Sequence, residues 1–414
     1  MKKSGFTLIE LLAVIAILAI ILVISIPKIL DVIETSKINT LKNTVKLIAD
    51  SAEKKYTENE AFGEENEITC DSVSKLNKED YSKCSIVFDE NGIAKVSILG
   101  RGKFKGLKVI EATKTNAEVI KLEAPKYGIT AVEYINGLYE YYGDSYNLKI
   151  DNTKDQNIRY YGSNPNNYVI FNNELWRIIG VFGNNVKLIR KDSLGRFSWD
   201  SSESNVNGGW GVNEWSQSAL KNYLNTMYYG GTSVTCYNGQ NKKEVTCPAN
   251  KLDNTSKSLI DNYTWNTGAI ELGKASDTLA FYKDERGNLT GLINNDTVER
   301  TTTWPGYIGL PYATDWAYAS GNDICEVNMR SKDSSNKYIC LNDNWMSKGE
   351  EYWTLSPRAS NVNGIWMVSN FVSVWSNSAS SPYALHPSIY LKNNVQIISG
   401  TGTSSDPYIL KAGV

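Results

Sequence analysis

The chain opens Met1-Lys2-Lys3-Ser4-Gly5-Phe6-Thr7-Leu8-Ile9-Glu10 and continues as an unbroken apolar run from Leu11 to Ile24. Read as an α-helix from Phe6 to Ile26, this stretch is about 31 Å long at roughly 1.5 Å per residue, enough to cross the hydrocarbon core of a bilayer. Lys2 and Lys3 precede it, so that end is expected to stay cytoplasmic while the bulk of the chain is exported. Ser25-Ile26-Pro27-Lys28 is a poor small-x-small cleavage site, which favours an anchor over a removable secretory signal. Glu10 is the discordant residue. A carboxylate one turn inside a membrane helix costs on the order of 2.5–3.5 kcal/mol, and the membrane segment contains no basic residue to pair with it. A cut after Gly5 would free an α-amino group on Phe6, a positive charge at the same depth in a neighbouring copy.

Gly5-Phe6-Thr7-Leu8-Ile9-Glu10 followed by an apolar helix resembles the class III leader of type IV pilins and type II secretion pseudopilins. The resemblance implies that residues 1–5 are a leader peptide, cleaved between Gly5 and Phe6 by a prepilin peptidase that also N-methylates Phe6. It implies that Glu10 pairs with the amine of an adjacent pilin or pseudopilin subunit during assembly. It also implies a single-pass membrane precursor that becomes part of an extracellular filament or the cell surface. Pro27 falls where pilins of this family often carry a helix-loosening proline; proline removes one helix hydrogen bond and kinks the helix.

Beyond Pro27, Ile29, Ile33, Leu41, Val45, Ile48, Ala52 and Tyr56 fall mostly three or four residues apart, with Asp31, Glu34, Lys37, Lys42 and Lys46 between them. That is an amphipathic stripe, so the helix is expected over 6–58, membrane-spanning over 6–26. Residues 59–125 read as a small antiparallel sheet: Cys84 to Phe88, a turn at Asp89-Glu90-Asn91-Gly92, a return strand Ala94 to Leu99, then Leu107 to Ala112. Residues 126–157 read as a connector with a short helix over Ile129 to Tyr142. The fold class expected is α+β: a long N-terminal helix on a small antiparallel sheet, then a second α+β module over 158–414.

Composition separates the two halves. Hydrophobic residues make up 41% and charged residues 21%, a globular balance. All 11 tryptophans lie from Trp176 onward, so the two parts have different cores. The net charge of −2, from 43 basic and 45 acidic residues, lacks the basic excess of a nucleic-acid binder. There is 1 histidine, His386, which removes the usual general base and the commonest metal ligand. No catalytic residue, cofactor or metal site is expected. Asp323, Glu326, Asp333 and Asp343 could offer oxygen ligands but read as a solvated loop.

The six cysteines lack zinc-knuckle spacing, and an even count in an exported chain reads as disulfides. Sequence leaves the connectivity open. Nearest-neighbour pairing, Cys70–Cys84, Cys236–Cys247 and Cys325–Cys340, is favoured because each bridge closes a short loop, contributing roughly 3 kcal/mol on the chain-entropy model.

In the second module, Asn167 to Phe171, Leu175 to Phe182 and Val186 to Arg190 read as strands, Ser218 to Tyr229 as an amphipathic helix, and several strands return near the C-terminus. Such a module should bring its ends together. Glu174-Leu175-Trp176-Arg177-Ile178-Ile179-Gly180, Glu214-Trp215 through Leu224-Asn225, and His386-Pro387-Ser388-Ile389-Tyr390-Leu391 resemble a module common in surface proteins of Gram-positive-type bacteria. Tyr352-Trp353-Thr354-Leu355-Ser356-Pro357 to Trp366-Met367-Val368 resembles the core of C-type-lectin-like domains related to formylglycine-generating enzymes. Those enzymes use active-site cysteines, whereas all six here are assigned to bridges. Where such modules usually show arginine before the proline, this chain has His386, read as a structural position. Trp210, Trp345 and Trp375 are the candidates for stacking on a glycan or protein ligand. The function expected is therefore a minor filament subunit displaying an extracellular binding module. The alternatives are a pilin-anchored enzyme and a structural cap without a ligand.

Overall fold

The computed structural model describes residues 8–63, 66–74, 76–201, 206–271, 277–287, 301–327, 341–359, 361–369 and 373–413. These form two compact units, residues 1–124 with 140–142 and residues 125–139 with 143–414.

The first unit is organised by helix α1, Leu8–Phe62, which runs without interruption through Pro27. Four strands follow, β1 (Tyr81–Phe88), β2 (Ala94–Gly100), β3 (Leu107–Ala112) and β4 (Val119–Lys121), in the antiparallel order β1-β2-β3-β4. Strand β4 escaped the sequence reading because three residues are too few to display a period. Leu41, Val45, Ile48, Ala49 and Ala52 repeat every three or four residues along α1 and are fully buried against Ala94, Val96, Ile98 and Val109 of the sheet. Leu41, Val45 and Ile48 each contribute about 1.5–3 kcal/mol on burial. The buried stripe begins lower than expected. Ile29 and Ile33 are exposed, since the core reaches no higher than Ile38. Tyr56 closes the lower end by stacking on Phe88, centroids 4.6 Å apart. Gly92, at φ +73° in the β1–β2 turn, leaves room for that ring, which lies 3.1 Å from where a Cβ would stand. Cys70 and Cys84 are bridged, tying the segment after α1 to β1.

The second unit contains a ten-stranded sheet. Its main path runs Ile308–Gly309, Ser388–Tyr390, Asn185–Arg190, Glu174–Phe182, Tyr168–Phe171, Tyr408–Lys411, Gln396–Ser399 and Ile129–Thr130, while Ile158–Tyr160 pairs with Glu174–Phe182 and with Leu148–Ile150. The C-terminal strand lies parallel to Tyr168–Phe171, so the ends of the module do meet. The segment 126–157, read as a connector, is built into this unit except for residues 140–142: Ile129 pairs with Ile397 and Leu148 with Tyr160. Two- and three-residue strands carry too little pattern to be read from sequence. Gly180 is required where Ile158–Tyr160 meets the long strand, because a Cβ there would fall 2.1 Å from the Ile158 carbonyl oxygen.

A five-stranded sheet, in the order Arg196–Ser198, Pro382–Ala384, Tyr352–Pro357, Gly364–Ser369, Ser373–Ser378, supplies a second layer of strands. The expected helix at 218–229 is an α-turn, Ala219–Asn222, capped by the Ser218 hydroxyl and continued by a π-helical stretch, Tyr223–Tyr229. The wider π turn puts Tyr228 in the core and leaves Met227 half-buried.

One cluster of buried charges in this unit is fully paired. Asp315, on the helix Ala313–Tyr318, accepts from Lys187 Nζ at 2.5 Å, Arg159 Nη1 at 2.8 Å and the Tyr312 backbone N–H at 2.9 Å. Arg159 also donates to Asp151 at 2.8 Å. Burial alone would push Asp315 up, but Lys187 and Arg159 outweigh it and hold the carboxyl below its ordinary value. Burial pulls Lys187 down to about 8 against the attraction of Asp315. Strand, loop and helix are thus joined at one buried ionic centre.

Candidate functional site

Two regions compete for attention, the upper half of α1 and the aromatic-rich second unit. From Leu8 to Ile33 every large apolar side chain described is at least 45% exposed, and this is the one helix among the described residues long and apolar enough to cross a membrane. A helix apolar on all sides is ordinarily buried, in a protein core or in a membrane. The proposed cleavage site, Gly5 and Phe6, lies outside the described residues, as does the side chain of Glu10, whose backbone is helical.

The candidate ligand-facing tryptophans separate. Trp210 and Trp375 are 45% and 43% exposed. The Trp210 carbonyl accepts from the Ser378 hydroxyl at 3.2 Å, on the edge strand that carries Trp375. Trp345 is only 4% exposed and donates its indole N–H to the Tyr160 carbonyl at 2.9 Å. That anchoring corrects the expectation of a surface indole, because an indole whose one donor is satisfied inside is fixed there. Trp345 contributes instead to the wall of a cleft of about 440 Å³. The bridge Cys236–Cys247 is present and staples the ribbon Thr235–Tyr237/Glu244–Thr246. Cys325 is also disulfide-bonded, while Cys340 and Asp333 lie outside the described residues.

His386 is buried just before the strand Ser388–Tyr390. Its Nδ1 lies 3.1 Å from the Arg190 carbonyl oxygen and its Nε2 3.1 Å from Glu350 Oε1. Burial and then the charge of Lys348 pull the imidazole down to about 4, against Glu350. Both ring nitrogens face protein partners, which leaves neither for a substrate.

Residues 1–26 match the family model for the prokaryotic N-terminal methylation motif. The match supports a prepilin-type protein of the type IV pilus or pseudopilus systems, processed by a prepilin peptidase and assembled with other pilins. Combined with the apolar helix, it fits a membrane-anchored precursor that later becomes surface-exposed. No curated protein and no solved structure matches the chain, so the lectin-like resemblance of the second unit gains no support there.

Sequence reading missed Arg177 and Lys348, which share the cleft with Trp345. Arg177 stands inside the strand Glu174–Phe182. The one available signal was a charged residue inside an otherwise apolar strand, Leu175-Trp176-Arg177-Ile178-Ile179; a buried charge needs a reason.

Proposed function

We propose that the protein is cut between Gly5 and Phe6, methylated on Phe6, and assembled through α1 as a minor subunit of a type IV pilus or pseudopilus. Its large second unit then acts outside the cell as a binding module for a glycan or protein ligand. The observation that carries this reading is the pairing of a methylation motif over residues 1–26 with a helical half that finds no packing partner among the described residues. In a filament, the neighbouring helices supply that partner. A carboxylate at Glu10 becomes tolerable once the freed Phe6 amine of the next subunit neutralises it. A minor role suits the bulk of the second unit, which outweighs the helix-and-sheet unit that would pack into a filament.

A non-enzymatic role is favoured by the enclosed setting of His386 and by six cysteines assigned to bridges. The reading is tested by Glu10→Ala in cells that carry the assembly machinery. Incorporation into sheared filaments should be lost, while the tryptophan emission of the membrane-retained chain matches wild type. Unchanged incorporation would refute assembly through Glu10 and leave a pilin-anchored enzyme or a cap as the alternatives.

A further inference from the structure

The cleft beside Trp345 is lined by three cations and two carboxylates, and two of the cations, Arg177 and Lys348, make no close ion pair among the described residues. Arg177 is 6% exposed, and its guanidinium carbon lies 4.2 Å from the ring centroid of Tyr168 and 4.5 Å from that of Trp345. Its Nε donates to Asn167 Oδ1 at 2.7 Å and its Nη2 to the Pro165 carbonyl at 3.2 Å. Among the described residues, Nη1 has no protein acceptor and no carboxylate lies within ion-pair distance. Lys348 contributes a second ammonium, held by the backbone carbonyls of Lys191 at 3.0 Å and Arg190 at 3.4 Å, again without a carboxylate partner among the described residues. Two carboxylates also line the cleft, and each has its own partner: Asp192 pairs with Lys191 at 2.9 Å, and Glu350 meets His386 at 3.1 Å.

Burying a guanidinium without a counter-charge is costly, and the two rings beside it offset only part of that cost. The missing partner is an anion that enters from the cleft. A guanidinium is planar and presents its free edge in one plane, the geometry that suits a planar carboxylate. Asp192 and Glu350 would repel a second negative charge, which disfavours a phosphate dianion. Their oxygens are acceptors for hydroxyl or ammonium donors on the body of the ligand.

We propose that this cleft binds a small monocarboxylate carrying hydroxyl or ammonium groups, an acidic sugar or an amino acid, with its carboxylate docked between Arg177 and Lys348. The proposal rests on reading the second unit as a binding module, and it is independent of filament assembly. Burial, and then the charge of Arg177, pull Lys348 down to about 7. The other groups facing it keep one charge state from pH 6 to 8.5: Arg177 titrates near 10 and His386 near 4, while Asp192 and Glu350 are held below the ordinary carboxylate range. Lys191 is paired with Asp192. Affinity therefore falls as pH rises and Lys348 loses its proton.

The test is saturation binding of glucuronate, serine, glucose and inorganic phosphate to the full chain in detergent micelles, followed by ligand-observed NMR. One or both carboxylates should bind, glucose and phosphate at least tenfold more weakly. Lys348→Met should weaken carboxylate binding at least tenfold with unchanged tryptophan emission. Lys348→Arg should keep binding at pH 8.5, where the wild type loses most of it; Arg177→Gln is a second variant, useful if it folds. Binding of glucuronate but not serine, or the reverse, identifies the source of the carboxylate. Absence of saturable binding by both, a preference for phosphate or glucose, or wild-type affinity in Lys348→Met would overturn the proposal. Such a failure beside a normal loss of assembly in Glu10→Ala would leave the filament reading intact.

Discussion

Replacing Asp315 by alanine should unfold the second unit more easily than any surface change. The side chain is fully buried and accepts from Lys187, Arg159 and the Tyr312 backbone N–H. Without it, Arg159 keeps Asp151 at 2.8 Å, but Lys187 has no carboxylate left among the described residues. Breaking a buried pair by deleting one member costs about 3–5 kcal/mol, because the orphaned charge must be tolerated or neutralised. With a urea dependence of about 3 kcal/mol per molar, the midpoint falls by about 1 to 1.7 M. The assay needs no dissection of the chain: every tryptophan lies from Trp176 onward, so tryptophan emission follows this unit alone. Lys187 is already pulled down to about 8 and falls further once Asp315 is gone. The unfolded chain then holds a proton at pH 7 that the folded variant does not, so the variant gains stability relative to wild type as pH rises towards 8. Its defect should be smaller at pH 9 than at pH 7. Adding Lys187→Met should restore part of the loss, since it removes the orphan. A loss below about 1 kcal/mol, or a defect indifferent to pH, would show that the ionic centre is not what joins these elements.

Leu41→Ala, at the top of the buried stripe of α1, should cost about 2–5 kcal/mol and speed amide exchange across Ala94–Gly100, whereas Ile29→Ala, in the exposed half, should leave that exchange unchanged. Equal effects would mean that the stripe is misplaced. Serine at both Cys236 and Cys247 should lower the tryptophan-detected stability by roughly 3 kcal/mol, the closure entropy of a short loop; a midpoint equal to that of the oxidised wild type would count against a stabilising staple.

What could be read from sequence was what repeats. Leu41, Val45, Ile48 and Ala52 recur at helical spacing, and Glu174–Phe182 is apolar for most of its length, so the long helix and the central strands were legible. Ile29 and Ile33 obey the same period, yet they are exposed, because periodicity marks a face and not what covers it. Ile129–Thr130 joins its sheet through residues near 396, and a two-residue strand has no period of its own. The cleft was illegible for a different reason. Arg177 meets Trp345 and Lys348 across more than half of the second unit's sequence, and nothing local in either segment announces the meeting. Trp345 was legible as an aromatic of interest, but its burial depends on the Tyr160 carbonyl that takes its N–H.

The measurement that bears most directly on the account is mass spectrometry of the N-terminal peptide of the protein recovered from cells with an active prepilin peptidase. A peptide beginning at N-methylated Phe6, without Met1 to Gly5, is the result expected. A chain that still carries Lys2 and Lys3 at its N-terminus in those cells would contradict it.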